Sequence, residues 1–328
     1  MEKLLEIKNL QTYFYTDEGI VRGCDRVSYS VNKGETLAVV GESGSGKSVT
    51  ALSILRLIET PPGKIEGGEI WFKGKDLLTL SNKEMQAIRG NDIAMIFQEP
   101  MTSLNPVIRV GQQIAESIRL HQPKTSKKRR RQRVVELLTQ VGISAPESRV
   151  DEYPYQLSGG MRQRIMIAMA LACDPALLIA DEPTSALDVT IQAQILRLID
   201  DLKKKSGMAV VMITHDLGVV AETADRVAVM YAGQIVEYGH VNDIFDNPKH
   251  PYLIGLKRSM PTLDSESDTL YAIPGMVPTP TNLPSGCKFA PRCEQCLPCC
   301  ESQAPPVIYF SAEHYARCWL YQPKEIIK

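Results

Sequence analysis

The chain lacks any apolar run near the roughly 20 residues that cross a bilayer, and Met1-Glu2-Lys3 leads into strand-like sequence without a signal-peptide pattern. A membrane-spanning or exported chain is therefore not expected, and the expected place is the cytoplasm. Excess charge of either sign is also missing. With 37 basic and 38 acidic residues the formal net charge is -1, which gives no bulk attraction to nucleic acid. Cysteine is scarce where a core would form: of eight, only Cys24 and Cys173 precede residue 287. Six thiols in the last stretch of a chain in a reducing compartment argue for metal over disulfides. A composition of 44% hydrophobic and 23% charged residues excludes the disordered class, and 328 residues suit about two domains.

What is present is organised around Leu37–Ser53. The segment Gly41-Glu42-Ser43-Gly44-Ser45-Gly46-Lys47-Ser48 fits the phosphate-binding loop GxxxxGKS. The apolar run Leu37–Val40 precedes it as a buried parallel strand, and a helical pattern through Thr50, Leu52, Ile54 and Leu55 follows. Small residues let backbone N–H groups turn onto the β-phosphate, and the helix adds its positive end. Lys47 is expected on the β- and γ-phosphates and the Ser48 hydroxyl on Mg²⁺, with Ser43, Gly44, Ser45, Gly46 and Thr50 counted among the nucleotide-binding residues.

Upstream, Leu4–Tyr15 alternates as a strand, and Val27–Val31 is a second, short one before the turn at Asn32-Lys33-Gly34. Together they predict an antiparallel layer. Phe14 on that layer is placed to present a ring to adenine; an ordinary half-buried aromatic reads equally well, and Tyr13 and Tyr15 compete. Gly67–Phe72 returns to strand character, and Ile93–Phe97 is an apolar run ending at Gln98. From Asn105 to about Gly142 three- and four-residue spacing predicts an inserted helical subdomain, about 99–164, whose basic run Lys127–Arg131 reads as a solvated helix face.

Ser158-Gly159-Gly160 opens another helix and is a second potential anion site. Leu177–Ala180 is an apolar strand closed by Asp181 and Glu182. Following a phosphate loop, that pair predicts a Mg²⁺-binding carboxylate and a base that activates water. Ala209–Thr214 repeats the buried-strand pattern with His215 at its end, at the edge where α/β sheets bind ligands. Val227–Met230 and Gln234–Tyr238 predict a hairpin around Ala232-Gly233. Alternating strands and helices from 35 to 240 predict a mostly parallel sheet. Near Phe245 the chain becomes proline-rich and irregular, so a separate extension, 246–328, follows a nucleotide-binding domain, 1–245; lacking the periodicity of a core, it needs a cross-link such as a metal centre.

Four thiolates suit an iron–sulfur cluster or Zn²⁺. Cys293, Cys296 and Cys299 have the two-residue spacing of bacterial ferredoxins, without the fourth Cys-Pro at the right distance.

In order along the chain, Gly41–Ser48, Gln98, Leu157–Gln163, Asp181-Glu182, Ser185–Asp188 and His215 resemble the ATP-binding subunits of ABC transporters. Within that family FQEPMTSLNP (97–106), HPY (250–252) and the run from Ile273 to Cys293 are similar to dipeptide and oligopeptide importers, and nickel importers share part of the pattern. The resemblance implies an α/β phosphate-loop (RecA-like) core with an antiparallel layer, a helical insert and a cysteine-rich extension. It also implies an ATPase whose two subunits sandwich ATP. Ser158, Gly159 and Gly160 then bind the γ-phosphate on the partner, Asp188 joins the nucleotide contacts, and His215 contacts the γ-phosphate. Gln98 senses Mg²⁺ and the membrane subunits, and Phe14 stacks on adenine. Implied partners are two permease subunits, a second ATP-binding chain (homologous or identical) and, indirectly, an extracytoplasmic substrate-binding protein, at the cytoplasmic face of the membrane and without nucleic acid. The same resemblance assigns Cys287, Cys293, Cys300 and Cys318 to a 4Fe–4S cluster, with Cys299 the alternative to Cys300. A soluble relative acting on a non-transport partner is the alternative.

Overall fold

The computed structural model describes residues 2–98, 103–184, 188–260 and 271–322. Of the motifs above, Glu99–Thr102 and Ser185-Ala186-Leu187 lie outside the described residues. The chain divides into two units.

One unit comprises residues 5–30, 36–75 and 214–328. The alternating N-terminal sequence forms β1 (Lys3–Thr16), which lies beside β2 (Gly19–Asn32) and pairs antiparallel with β4 (Gly63–Phe72), with β5 (Lys75–Asp76) at the edge. β2 is much longer than Val27–Val31 because none of its first five residues is buried and they carry no apolar alternation. β3 (Thr36–Val40) is buried at every position, as the unbroken apolar run predicts, and ends in the glycine-rich loop before helix α1 (Lys47–Ile54).

Later in the chain β9 (Arg226–Tyr231) runs parallel to β3 and forms the predicted hairpin with β10 (Gln234–His240). The extension does not stand apart from this sheet. Its strands β11 (Val307–Tyr309) and β12 (Tyr315–Arg317) continue it, β12 pairing antiparallel with β10. Tyr252, Leu253 and Phe289 enter the same apolar cluster as Val227, Val229 and Tyr231. At about 1.5–3 kcal/mol for each fully buried apolar side chain, these three fasten the extension to the sheet. The expectation that it lacks an ordinary core is thus revised: irregular backbone hides apolar residues from any periodicity test, yet they are buried one by one.

A buried polar knot adds direction. Glu237 on β10, 0% exposed, accepts the backbone N–H groups of Lys249 at 2.9 Å and His250 at 2.6 Å and pairs with the His314 ring at 3.0 Å. A buried carboxylate is tolerated only when so paired.

The other unit comprises residues 1–4, 31–35 and 76–213. β6 (Ile93–Ile96), β7 (Leu177–Asp181) and β8 (Ala209–Thr214) are parallel neighbours, in register Ile93↔Leu177 and Leu177↔Ala209. The inserted helices are Val110–His121 and Lys127–Gln140, and they pack with helix Gly159–Ala170. Val110, Ile114 and Ile118 on the first and Val134, Leu137 and Leu138 on the second are the buried stripes that the spacing predicts. Pro123 falls between the two helices, where its missing N–H ends the first. Ser126 caps the second, and the basic run that follows is solvated, with Arg131 on Asp151 at 2.7 Å.

Candidate nucleotide site

The phosphate loop is shaped by close backbone approach. Gly46 has φ +101°, and a Cβ there would lie 2.1 Å from the Gly23 carbonyl oxygen; one on Gly41 would lie 2.2 Å from that of Met230. Only glycine fits either position. The Lys47 ammonium, 6% exposed, folds back across the loop to donate to the carbonyls of Gly41 at 2.7 Å and Glu42 at 3.0 Å. It thus waits beside the loop's backbone. Ser45 Oγ is buried with no hydrogen-bond partner among the described residues, an orphan that a phosphate oxygen would satisfy. No acidic side chain lies in the first turn of α1 to offset the positive potential of its N-terminus.

Ser43 and Gly44 lie exposed at the tip, and Ser48 is half-buried. Thr50 sits behind the loop, its hydroxyl 3.0 Å from the Gly46 carbonyl and 3.1 Å from the Cys24 sulfur. Its side chain therefore supports the loop and does not line it. The ring of Phe14 lies against Gly23 and Gly63, where an added Cβ would meet it at 3.0 and 2.9 Å, and Val49 of α1 borders the same spot. Tyr13 takes other partners, 3.4 Å from Asp25 with Arg22 over its ring, and Tyr15 bonds Glu66 at 2.6 Å. His215 is exposed at the end of β8.

In the other unit the two acids close β7 as expected. Asp181 is 4% exposed. Glu182 has φ +46°, left-handed for a residue with a Cβ. Its backbone N–H is tied to the Ile213 carbonyl at 2.9 Å, and its Oε2 accepts the Gln98 side-chain amide at 3.2 Å. A strained backbone held from two sides is a feature of sites where a side chain must be aimed.

The signature segment forms the predicted cap. Ser158 precedes helix Gly159–Ala170 and its Oγ accepts the Met161 N–H at 3.3 Å. Nothing lies within 4 Å of a Cβ built on Gly159. The backbone donors of that turn are open to an approaching anion. Asp188 caps helix Val189–Ser206, accepting the Ile191 N–H at 2.9 Å.

One contact was not read from the sequence. Gln163, 1% exposed, donates its amide to the carbonyl of Pro183, tying the signature helix to the residue after Glu182. The available signal was a glutamine on an otherwise buried helix face, which must find a polar partner.

Among the described residues no three His, Cys, Asp or Glu side chains are arranged to hold a metal ion. The iron–sulfur expectation for Cys287, Cys293, Cys300 and Cys318 thus finds no formed ligand cage. The four thiols are nevertheless electrostatic neighbours: Cys318 is pushed up to about 12, first by burial and then by Cys287, Cys293 and Cys300. Burial likewise pushes Cys287 up to about 11. Cys296 is exposed.

Two family descriptions match: ABC transporter over residues 24–185 and the oligopeptide/dipeptide transporter C-terminal region over 236–300. The chain is 53% identical to the oligopeptide transport ATP-binding protein AppD of Bacillus subtilis over 98% of both chains. It is 56% identical to OppD of the same organism, over 98% of this chain and 90% of that one. The dipeptide transport ATP-binding protein DppD of Lactococcus lactis is 52% identical over 98% and 92%. Among solved structures, the ATP-binding cassette MJ0796, a dimer in a post-hydrolysis state bound to ADP and Pi, aligns with TM-score 0.65 and 28% identity over 72% of this chain and 98% of that one. The chain accordingly belongs to the ABC transporter family of ATP-binding proteins, in the group that carries the oligopeptide/dipeptide transporter C-terminal region.

Proposed function

We propose that this chain hydrolyses ATP to energise import of oligopeptides or dipeptides through membrane permease subunits, at the cytoplasmic face of the membrane. The carrying observation is Glu182, held at φ +46° at the end of a buried strand with the Gln98 amide on its carboxylate. That arrangement suits a base aimed at water. In this reading the nucleotide-binding domain is 1–245 and the extension 246–328. Lys47 and the backbone of Gly41–Ser48 clamp the phosphates, and Phe14 stacks on adenine. Ser48, Gln98 and Asp181 would hold Mg²⁺, side chains that offer oxygen donors suited to a hard cation, while the Gln98 amide N–H donates to Glu182. Glu182 takes the proton from the attacking water, while His215 and, from the second ATP-binding subunit, Ser158, Gly159, Gly160 and Asp188 bound the nucleotide. The relatives named for oligopeptide and dipeptide transport support the substrate class.

The extension is read as the seat of a structural 4Fe–4S cluster on Cys287, Cys293, Cys300 and Cys318. Burial pushes the Cys287 thiol up to about 11 and the Cys318 thiol up to about 12, and a metal would displace their protons. Iron and sulfide analysis after anaerobic purification checks this; stoichiometric zinc without visible absorbance would exclude the cluster.

The function itself is tested by reconstituting the chain with its permease subunits and a substrate-binding protein in vesicles and following uptake of labelled peptide. ATP-dependent uptake, lost in Glu182→Gln, is expected. Uptake of nickel in place of peptide, or recovery of the native chain with ribosomes or polynucleotide and not with permeases, would overturn it.

A further inference from the structure

Within the phosphate loop Glu42 is the one acidic residue, at a place where a carboxylate would repel the phosphates of an incoming nucleotide. Its charge is countered from far along the chain. Arg292, 7% exposed, grips the Glu42 carboxylate with both terminal nitrogens, at 2.6 and 3.1 Å. The Glu42 backbone N–H is held as well, donating to the Tyr252 hydroxyl at 2.8 Å. Both partners come from the extension. Arg292 is itself anchored, Nε donating to the Pro274 carbonyl at 3.2 Å, a terminal nitrogen 3.4 Å from the Tyr231 hydroxyl, and the guanidinium 5.9 Å from the Phe289 ring. Tyr231, Tyr252 and Phe289 pack ring against ring with centroids 4.7–5.4 Å apart. A bidentate guanidinium–carboxylate pair on such a support has one geometry.

We propose that Arg292 and Tyr252 are positioning residues for ATP, through which the cysteine-rich extension sets the shape and charge of the phosphate loop. The proposal rests on the reading of Gly41–Ser48 as the nucleotide site. Arg292 neutralises the Glu42 charge, and the buried Tyr252 hydroxyl fixes its N–H. Arg292 immediately precedes Cys293 and follows the turn in which the Ala290 N–H bonds the Cys287 carbonyl at 3.1 Å. The brace is thus built into the thiol-bearing turn, and nucleotide and extension are reciprocally coupled.

ATP affinity and turnover are measured on the full chain for wild type, Lys47→Ala, Arg292→Gln, Arg292→Lys and the double variant Glu42→Gln/Arg292→Gln, with thermal unfolding of each. Leaving the Glu42 charge uncompensated should weaken ATP binding about tenfold in Arg292→Gln. Arg292→Lys should lose less, and the double variant should recover most of the affinity, which a purely structural loss would not. In wild type, ATP should slow amide hydrogen exchange at residues 273–274 and 289–293, a readout that needs no variant to fold. Equal affinity in wild type and Arg292→Gln, a double variant as weak as Arg292→Gln, or unchanged exchange in the extension at saturating ATP would overturn the brace. Wild type that binds ATP no better than Lys47→Ala would instead overturn the nucleotide-site reading, and the brace with it.

Discussion

Replacing Glu182 by glycine and by glutamine separates what this residue does for the fold from what it does for catalysis. At φ +46° its backbone occupies the left-handed region, which costs an L-residue with a Cβ about 1–2 kcal/mol. Glutamine keeps that cost. Glycine removes it but gives back about 0.5–1 kcal/mol through the greater freedom of its unfolded chain, so Glu182→Gly should gain up to about 1 kcal/mol over Glu182→Gln. In a protein of this size that is a rise of up to about 3 °C in melting temperature. Both variants lack the carboxylate that accepts the Gln98 amide, and both should lose roughly 10²–10⁴-fold in single-turnover hydrolysis. Nucleotide affinity is expected to survive, because the phosphate clamp is untouched. The measurements are nucleotide-free thermal unfolding by fluorescence and hydrolysis of a single bound ATP. A glycine variant that melts below the glutamine variant would refute the strain argument, and turnover near wild type in either would remove Glu182 from the base position.

Further outcomes concern the polar core, the signature turn and the thiols. His250, 1% exposed, has its imidazole pushed down to about 3 by burial and accepts the Tyr252 N–H at 3.1 Å. The unfolded chain therefore binds a proton below pH 6.5 that the folded chain refuses, so stability present above pH 6.5 is lost on acidification, about 2 kcal/mol by pH 5. His250→Asn, which keeps a capping acceptor, should flatten that part of the pH profile measured by urea unfolding; an unchanged profile would assign the acid sensitivity elsewhere. Gly159→Ala meets open space and should leave melting and ATP binding intact while lowering hydrolysis at high protein concentration, where the wild-type rate rises faster than in proportion to enzyme; strict proportionality at all dilutions would argue against action across a dimer. Cys300→Ser should abolish iron incorporation and Cys296→Ser should not, the reverse assigning the metal to the ferredoxin-like set.

Wherever a single residue type answers to a local demand, the sequence by itself determined the outcome. Leu37–Val40 had to be a buried strand, and Gly41 and Gly46 had to be glycine because backbone oxygens stand 2.1–2.2 Å from any Cβ. Acids ending a second buried strand and a Ser-Gly-Gly turn opening a helix are equally local, and those expectations appear where they were placed. The length of β2 was not legible, since none of its first five residues is buried and they leave no apolar alternation. Only the tertiary structure decided which side each aromatic of β1 faces, that Thr50 supports the loop from behind, and that Gln163 reaches Pro183. It also decided that an irregular, proline-rich extension joins the sheet through β12 and reaches Glu42 through Arg292, 250 residues away. Such contacts obey no period along the chain, because they are made by single side chains whose partners are set by the packing of whole strands.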